Sequence, residues 1–472
     1  MTTRRSVLIS LAALPLAPAC GGTLPPEALV PGVPDDDDDS GVADDDDSGV
    51  ADDDDSSEPT PAPPPLFELQ GNVDYDSFPA GIQTADALPD AILVALRSPE
   101  PDIVLRLGRV EPTGEVLLAF ESDVLLVPNG LLSLELTALE PDTRYQLYVM
   151  DPTGARRSEL GRFRTALAPG DRRTMRIAVT SCLGRVGAPW QSMRLVGEQD
   201  PDLCLLLGDT VYADGASTLT DYRGFWDEAL ETVGLQSMSL ATSFVATWDD
   251  HEVANNWSWD QHGDLVAPAL AAFRESIPQR AGPDPDRVYR SLRWGDAVEL
   301  IVLDCRADRA DGLYISEAQM AWLQDTLSTS TARFKLILNS VPIIDFTLWI
   351  GGLGADDRWQ GYPAQRTELL TFIENAGLTG VLFLGGDLHL GAVARVSITG
   401  QPGDDLWEVM AGPGGSTINP MVLVPPVLTD QFDLLIAEWN TVLLDLDPQT
   451  GQVAVTFVND AGDVIGERLL EP

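Results

Sequence analysis

Four polar clusters in this chain carry side chains that could do chemistry together: Ser181-Cys182, Gly208-Asp209-Thr210-Val211-Tyr212, Trp248-Asp249-Asp250-His251-Glu252 and Gly386-Asp387-Leu388-His389. Each closes a short apolar run rich in β-formers, at 177–180, 203–207, 244–247 and 381–384. In an open α/β sheet the carboxyl ends of neighbouring strands meet in one crevice, where ligands bind. A thiol, a phenol, several carboxylates and two imidazoles would converge there, and all of them bind metal ions. The pattern points to metal-dependent hydrolysis. The chain has three histidines, and two of them, His251 and His389, stand in these clusters; His262 reads as loop surface.

Each residue also has a plainer role open to it. Asp209, after Gly208, could cap a turn. Tyr212 could simply pack, and Cys182 could be a buried strand-end cysteine. Asp249 and Glu252 have bracing of the turn as their simplest task. Arg306 could fork onto two phosphate oxygens or pair structurally with Asp304 or Asp308. Asp387 and His389 leave one strand end two residues apart, so they share a face.

The clusters, in this order and with Asn255-Asn256 after the third, resemble the PhoD-type alkaline phosphatase/phosphodiesterase branch of the calcineurin-like metallophosphoesterases. Leu303-Asp304-Cys305-Arg306 and Trp359-Gln360-Gly361-Tyr362-Pro363 are similar to that branch too, and the likeness runs over 177–417. The resemblance implies an α/β fold of four layers, α/β/β/α, and a centre of one ferric ion and calcium. Its ligands would be Cys182, Asp209 (bridging), Tyr212, Asp250, Asp387, His389 and one of Asn255 or Asn256, with Asn255 taken first. His251, with a reference pKa near ~6.5, would protonate a leaving alkoxide or orient the phosphoryl group, and Arg306 would bind substrate.

Cys182 stands where most calcineurin-like sequences open with Asp-x-His, and Asp387 stands where they have His. A thiolate and a phenolate suit iron, while added oxygen ligands suit calcium. The implied reaction is in-line attack on phosphorus by a metal-bound hydroxide or oxo group, without a covalent phosphoenzyme. The expected substrate is a phosphate mono- or diester. Alternatives are a phospholipase D-like or polymer-directed phosphodiesterase on the same centre, and a surface lipoprotein that only binds.

The net charge is −45. Thirteen Asp and Glu58 lie in the repeats of 32–58, while Arg4, Arg5 and Glu27 together add one positive charge, so residues 66–472 keep −32. A body this acidic excludes nucleic acid as a bulk electrostatic partner, which would need a basic stripe. Residues 1–20 read as a leader. Arg4-Arg5 before the apolar stretch 7–19 is similar to a twin-arginine export signal, and 16–21 to a lipoprotein cleavage box with Cys20 as the lipidated residue. Residues 21–65, with Gly-Val-Ala-Asp-Asp-Asp-Asp-Ser at 41–48 and 49–56, read as a solvated tether. The expectation is an exported monomer, periplasmic or at the cell surface, held to a membrane by lipid.

The strands and helices that must position the clusters fall into two blocks. Short strands about every ten residues over 66–168 read as a small fibronectin-like β-sandwich without catalytic residues. From 169 to 472, strands alternate with helical patterns at 190–198, 222–230, 270–277, 317–327 and 364–376, as in a buried sheet with helices outside it. Cys204 and Cys305 read as core. The tail ends in strands at 441–446, 452–458 and 464–469, which leads to the expectation of an open cleft with no helix over it.

Overall fold

Strand residues in the catalytic region bury their side chains in two directions. In Leu203–Leu207, Leu203, Leu205 and Leu207 enter a central core, while Cys204 and Leu206 pack against helices. The same split holds in Met175–Thr180 and Ser243–Thr247. It holds again in Val298–Val302, Phe334–Leu338 and Val381–Gly385, whose outward residues meet a different helical core. Strands buried on both faces read as continuous apolar runs, and two such sheets facing each other give four layers. The first outer layer holds Gln191–Gly197, Leu219–Leu230, Val233–Ala241 and Trp259–Ser276. The second holds Glu317–Thr329 and Pro363–Asn375. This is the α/β/β/α sandwich expected above.

The computed structural model describes residues 8–11, 64–307, 309, 312–350, 354–420 and 431–472. One catalytic sheet runs Arg290–Trp294, Val298–Val302, Phe334–Leu338, Val381–Gly385, Trp407–Met410, Gly391–Arg395 and Phe432–Ile436. In the other, Ser243–Thr247, Leu203–Leu207 and Met175–Thr180 are parallel neighbours, and the tail strands Asn440–Asp447, Gln452–Asn459 and Val464–Leu470 extend it antiparallel. This sheet does not stop at the sandwich. Ile82–Ala85 pairs in parallel with Ser243–Thr247, followed by Ala91–Arg97 and Leu131–Thr137. The second sandwich sheet is built on Arg144–Met150 and Asp102–Val110. Position 168 therefore divides the sequence but not the packing, because the sandwich strand Ile82–Ala85 caps an edge that would otherwise be open. Residues 65–472 fall in one unit.

Leu8–Leu11, inside the segment read as a leader, runs antiparallel to Leu131–Thr137 with Ile9 opposite Leu136. An apolar β-capable run has found a free sheet edge. Arg4, Arg5, Cys20 and the tether lie outside the described residues. Among those described, no helix is long and apolar enough to cross a membrane. The helix Trp259–Ser276 begins eleven residues before the 270–277 that periodicity predicts, because Gly263 and Pro268 interrupt the pattern; it carries His262, so that residue is helical rather than in a loop.

Candidate metal centre

The parallel strands end together, and main-chain bonds tie their ends. Cys182 N–H donates to the Gly208 carbonyl at 3.2 Å and Leu183 N–H to that of Asp209 at 2.8 Å. The second sheet reaches the same point, where Ser181 Oγ donates to the Ala411 carbonyl at 2.6 Å. Gly386 is needed for this approach, since a Cβ there would lie 2.7 Å from Ser181 Oγ. Of the eleven non-glycine residues with positive φ among those described, five stand here: Cys182, Asp209, Asn256, Asp387 and His389. Left-handed backbone is costly for such residues and clusters at functional sites, so the fold spends strain on aiming these side chains.

Two donor groups result, each with its ligand atoms within 4.8 Å of one another: Cys182, Asp209 and His389, and Asp209, Asp250 and His251. Asp209 belongs to both. Tyr212 joins the first, its Oη lying 3.2 Å from Asp209 Oδ2 and 3.1 Å from His389 Nε2. Asp387 lies across from them, 3.9 Å from Arg306. Glu252 holds the frame: its carboxylate accepts from the main-chain N–H groups of Asp209, Thr210 and Asp249 at 2.6–3.0 Å. Burial still pushes the Glu252 carboxyl up to about 7.

The electrostatics fit cations. Burial and then the facing carboxylates push the Asp209 carboxyl well above the usual range, and the same causes act on Asp387 and on the Cys182 thiol. Burial and Asp209 likewise raise the Tyr212 phenol, and burial lowers His389. Asp250 differs: burial opposes its charge, but Arg306 and His251 outweigh it and hold the carboxyl low. A buried carboxylate, thiol and phenol that repel one another's charge would be relieved by bound metal.

Two of the expected site residues, Arg306 and Asn255, do not line the cleft. Arg306 is enclosed by carboxylates. Its guanidinium is fully buried, with Nε 2.6 Å from Asp249 Oδ1 and Nη1 2.5 Å from Asp357 Oδ1, and further bonds from Nη2 to both partners. It is the counter-charge of the cluster, recruited by Asp357 from fifty residues away. Asn255 and Asn256 are both exposed, but Asn255 gives its N–H to Asp214, whereas Asn256 lines the cleft and gives its N–H to Asp250 at 2.6 Å. Trp359 is buried, with its indole N–H on Asn339.

Other residues escaped the motifs. Asp214 Oδ2 lies 2.7 Å from His251 Nδ1, and because a carboxylate only accepts, Nδ1 carries the proton and Nε2 is left for chemistry. Its place two residues after Tyr212 was a usable signal. Asp357 and Arg358 come from a segment with no recognisable pattern. Both line a cleft of about 430 Å³ with Asn256, Asp387, His389 and Asn419. Arg358 is 5% exposed, and its guanidinium lies over the Phe346 ring.

The four layers and the two donor groups sharing Asp209 define a metallophosphoesterase-type protein. The comparisons narrow this. The family profile described as PhoD-like phosphatase matches residues 177–422, and the chain belongs to that family. Alkaline phosphatase D of Bacillus subtilis (strain 168) is 27% identical over an alignment of 396 residues, with 68% of this chain and 66% of that protein covered, just under two thirds of its length. A solved structure of PhoD superposes with a TM-score of 0.70 at 21% identity, covering 85% of this chain and 90% of that one. A purple acid phosphatase from yellow lupin (Lupinus luteus) seeds gives 0.59 at 13% identity, covering 83% and 73%. These two show the same fold.

Proposed function

We propose that this protein hydrolyses phosphate esters, both monoesters and diesters, with a ferric ion and calcium as its metals. The observation that carries the reading is Asp209, common to a soft group with Cys182, Tyr212 and His389 and to an oxygen-rich group with Asp250. Cys182, Tyr212, His389 and Asp209 would hold the ferric ion. Asp250, Asp387, Asn256 and Asp209 would hold calcium. When bound, the ions supply Lewis-acid activation of water and neutralise charge on the phosphoryl oxygens.

The chain's own groups do the rest. Asp214 fixes the His251 ring through the proton on Nδ1, so that when the ring also carries a proton on its second nitrogen, that proton is the one that can pass to the departing alkoxide. Arg358 in the cleft wall takes the substrate role first assigned to Arg306, since a guanidinium suits phosphate oxygens. No side-chain nucleophile is required. The cleft, larger than a phosphate group needs, and a tail that continues as sheet support access for bulky alcohol substituents. Export by the twin-arginine route and lipid attachment at Cys20 belong to the same reading and rest on the sequence of residues 1–21.

Metal analysis of the purified protein, followed by hydrolysis of a chromogenic monoester and diester, tests the proposal. Iron and calcium with turnover of both esters are expected. A protein without metal and without turnover would be a binding module, and strict preference for one small monoester would remove the open-cleft reading.

A further inference from the structure

Ser416 joins two members of the soft donor group from outside it. Its Oγ donates to Tyr212 Oη at 2.7 Å, its N–H to the Cys182 carbonyl at 2.9 Å, and its own carbonyl accepts from the Trp439 indole at 2.7 Å. The residue is 6% exposed. It reaches this position because side chains are missing around it. A Cβ on Gly184 would lie 2.6 Å from Ser416 Oγ, one on Gly187 2.6 Å from Gly415 Cα, and one on Gly415 2.3 Å from Trp190 Nε1. The segment 412–416 is thereby laid directly on 181–187, with Gly414 N–H on the Ser181 carbonyl at 2.8 Å and Gly415 N–H on that of Cys182 at 3.1 Å.

Tyr212 Oη therefore meets one hydroxyl donor from behind while facing Asp209 and His389 in front. We propose that Ser416 is a positioning residue for the metal centre, holding the Tyr212 oxygen and the Cys182 main chain in register and keeping a donor on that oxygen once it binds a cation. This rests on the metal reading above. Partners that orient metal ligands typically account for ~10–100-fold in metal affinity. A donor on a phenolate also lowers its filled orbitals, so a phenolate-to-iron charge-transfer band lies at shorter wavelength with the hydroxyl than without it.

The test uses the full chain stripped of metal and titrated separately with ferric ion and with cobalt(II). The cobalt–thiolate band reports Cys182 whichever ion is native, and Tyr212→Phe identifies the phenolate band by removing it. Ser416→Ala should bind iron about tenfold or more weakly and move the phenolate band to longer wavelength, while Ser416→Thr restores both. If Ser416→Ala does not fold, Trp439→Phe, which loosens the same seam, should shift the band in the same direction. A wild-type protein with both bands and a Ser416→Ala variant (or, in its place, Trp439→Phe) identical to it would overturn the inference alone. A wild-type protein with neither band would overturn the metal reading, and this inference with it.

Discussion

Asp209 is the carboxylate on which both donor groups depend, and its behaviour should reverse with metal. Without metal it is a buried charge facing Asp250 and Asp249, so Asp209→Asn should raise the unfolding midpoint of the stripped protein. With metal present the same change removes a ligand from both groups, and turnover should fall by at least about 10²-fold, the scale of losing one electrostatic stabiliser of the transition state. Full activity in the folded variant would end the bridging assignment. The two arginines make a paired prediction. Arg306→Met leaves the buried Asp249 without its ion-pair partner, while Asp357 keeps Arg309, and should cost about 3–5 kcal/mol in stability. Arg358→Gln should instead raise KM about 10–100-fold, the worth of a charge-assisted bond, with a much smaller loss of stability. Equal effects of the two on KM would return Arg306 to the substrate. This contrast also shows what a sequence conceals. The candidate ligands Cys182, Asp209, Asp250, Asp387 and His389 were legible because each follows an apolar run that reads as a buried strand. The status of Arg306 was not, because Asp357 reaches it through tertiary folding that leaves no local mark, and Ser416 is identified by glycines whose purpose appears only when two segments meet.

At the level of elements, the strands were read more faithfully than the helices, for a physical reason. Strands buried on both faces carry an unbroken apolar signal, as at Leu203–Leu207, whereas Val233–Ala241 contains Gly234 and three polar residues and has no clear stripe. The edge strand Arg290–Trp294 and the inner strand Gly391–Arg395 were missed because small or charged residues dilute their pattern. One strand sets up a test of pH. Glu408, on Trp407–Met410, accepts from the N–H groups of Ile343 and Ile344 at 2.9–3.1 Å and so anchors the segment that runs on to Asp357 and Arg358. Burial pushes its carboxyl from 4.5 up to about 7, only partly offset by those N–H groups and Arg366. Between those pH values the folded protein holds a proton that the unfolded chain has released. Stability from this group is therefore complete below about pH 4.5, falls as pH rises toward 7 and is flat above it, a change on the order of 3 kcal/mol. Glu408→Gln should remove that slope, so the wild type loses stability relative to the variant across the window. Parallel pH–stability curves from denaturant unfolding would refute it.

The whole molecule sets the terms on which the site meets its substrate. Residues 66–472 carry −32, so a phosphate ester approaches a like-charged body and is attracted only by what the cleft itself presents. Added salt screens that repulsion, and kcat/KM for an anionic ester should rise several-fold between about 20 and 150 mM NaCl; a fall would mean that local cationic steering dominates. We read residues 16–21 as a lipoprotein cleavage box. On this reading the lipid at Cys20 supplies attachment and nothing else. Cys20→Ser should therefore move the protein from the membrane fraction to the soluble extracytoplasmic fraction while leaving kcat and KM on a soluble ester unchanged, since the metal centre is built wholly from residues after 180. Membrane fractionation together with steady-state kinetics decides the point: a variant that stays on the membrane, or a wild type already soluble, removes the lipid anchor.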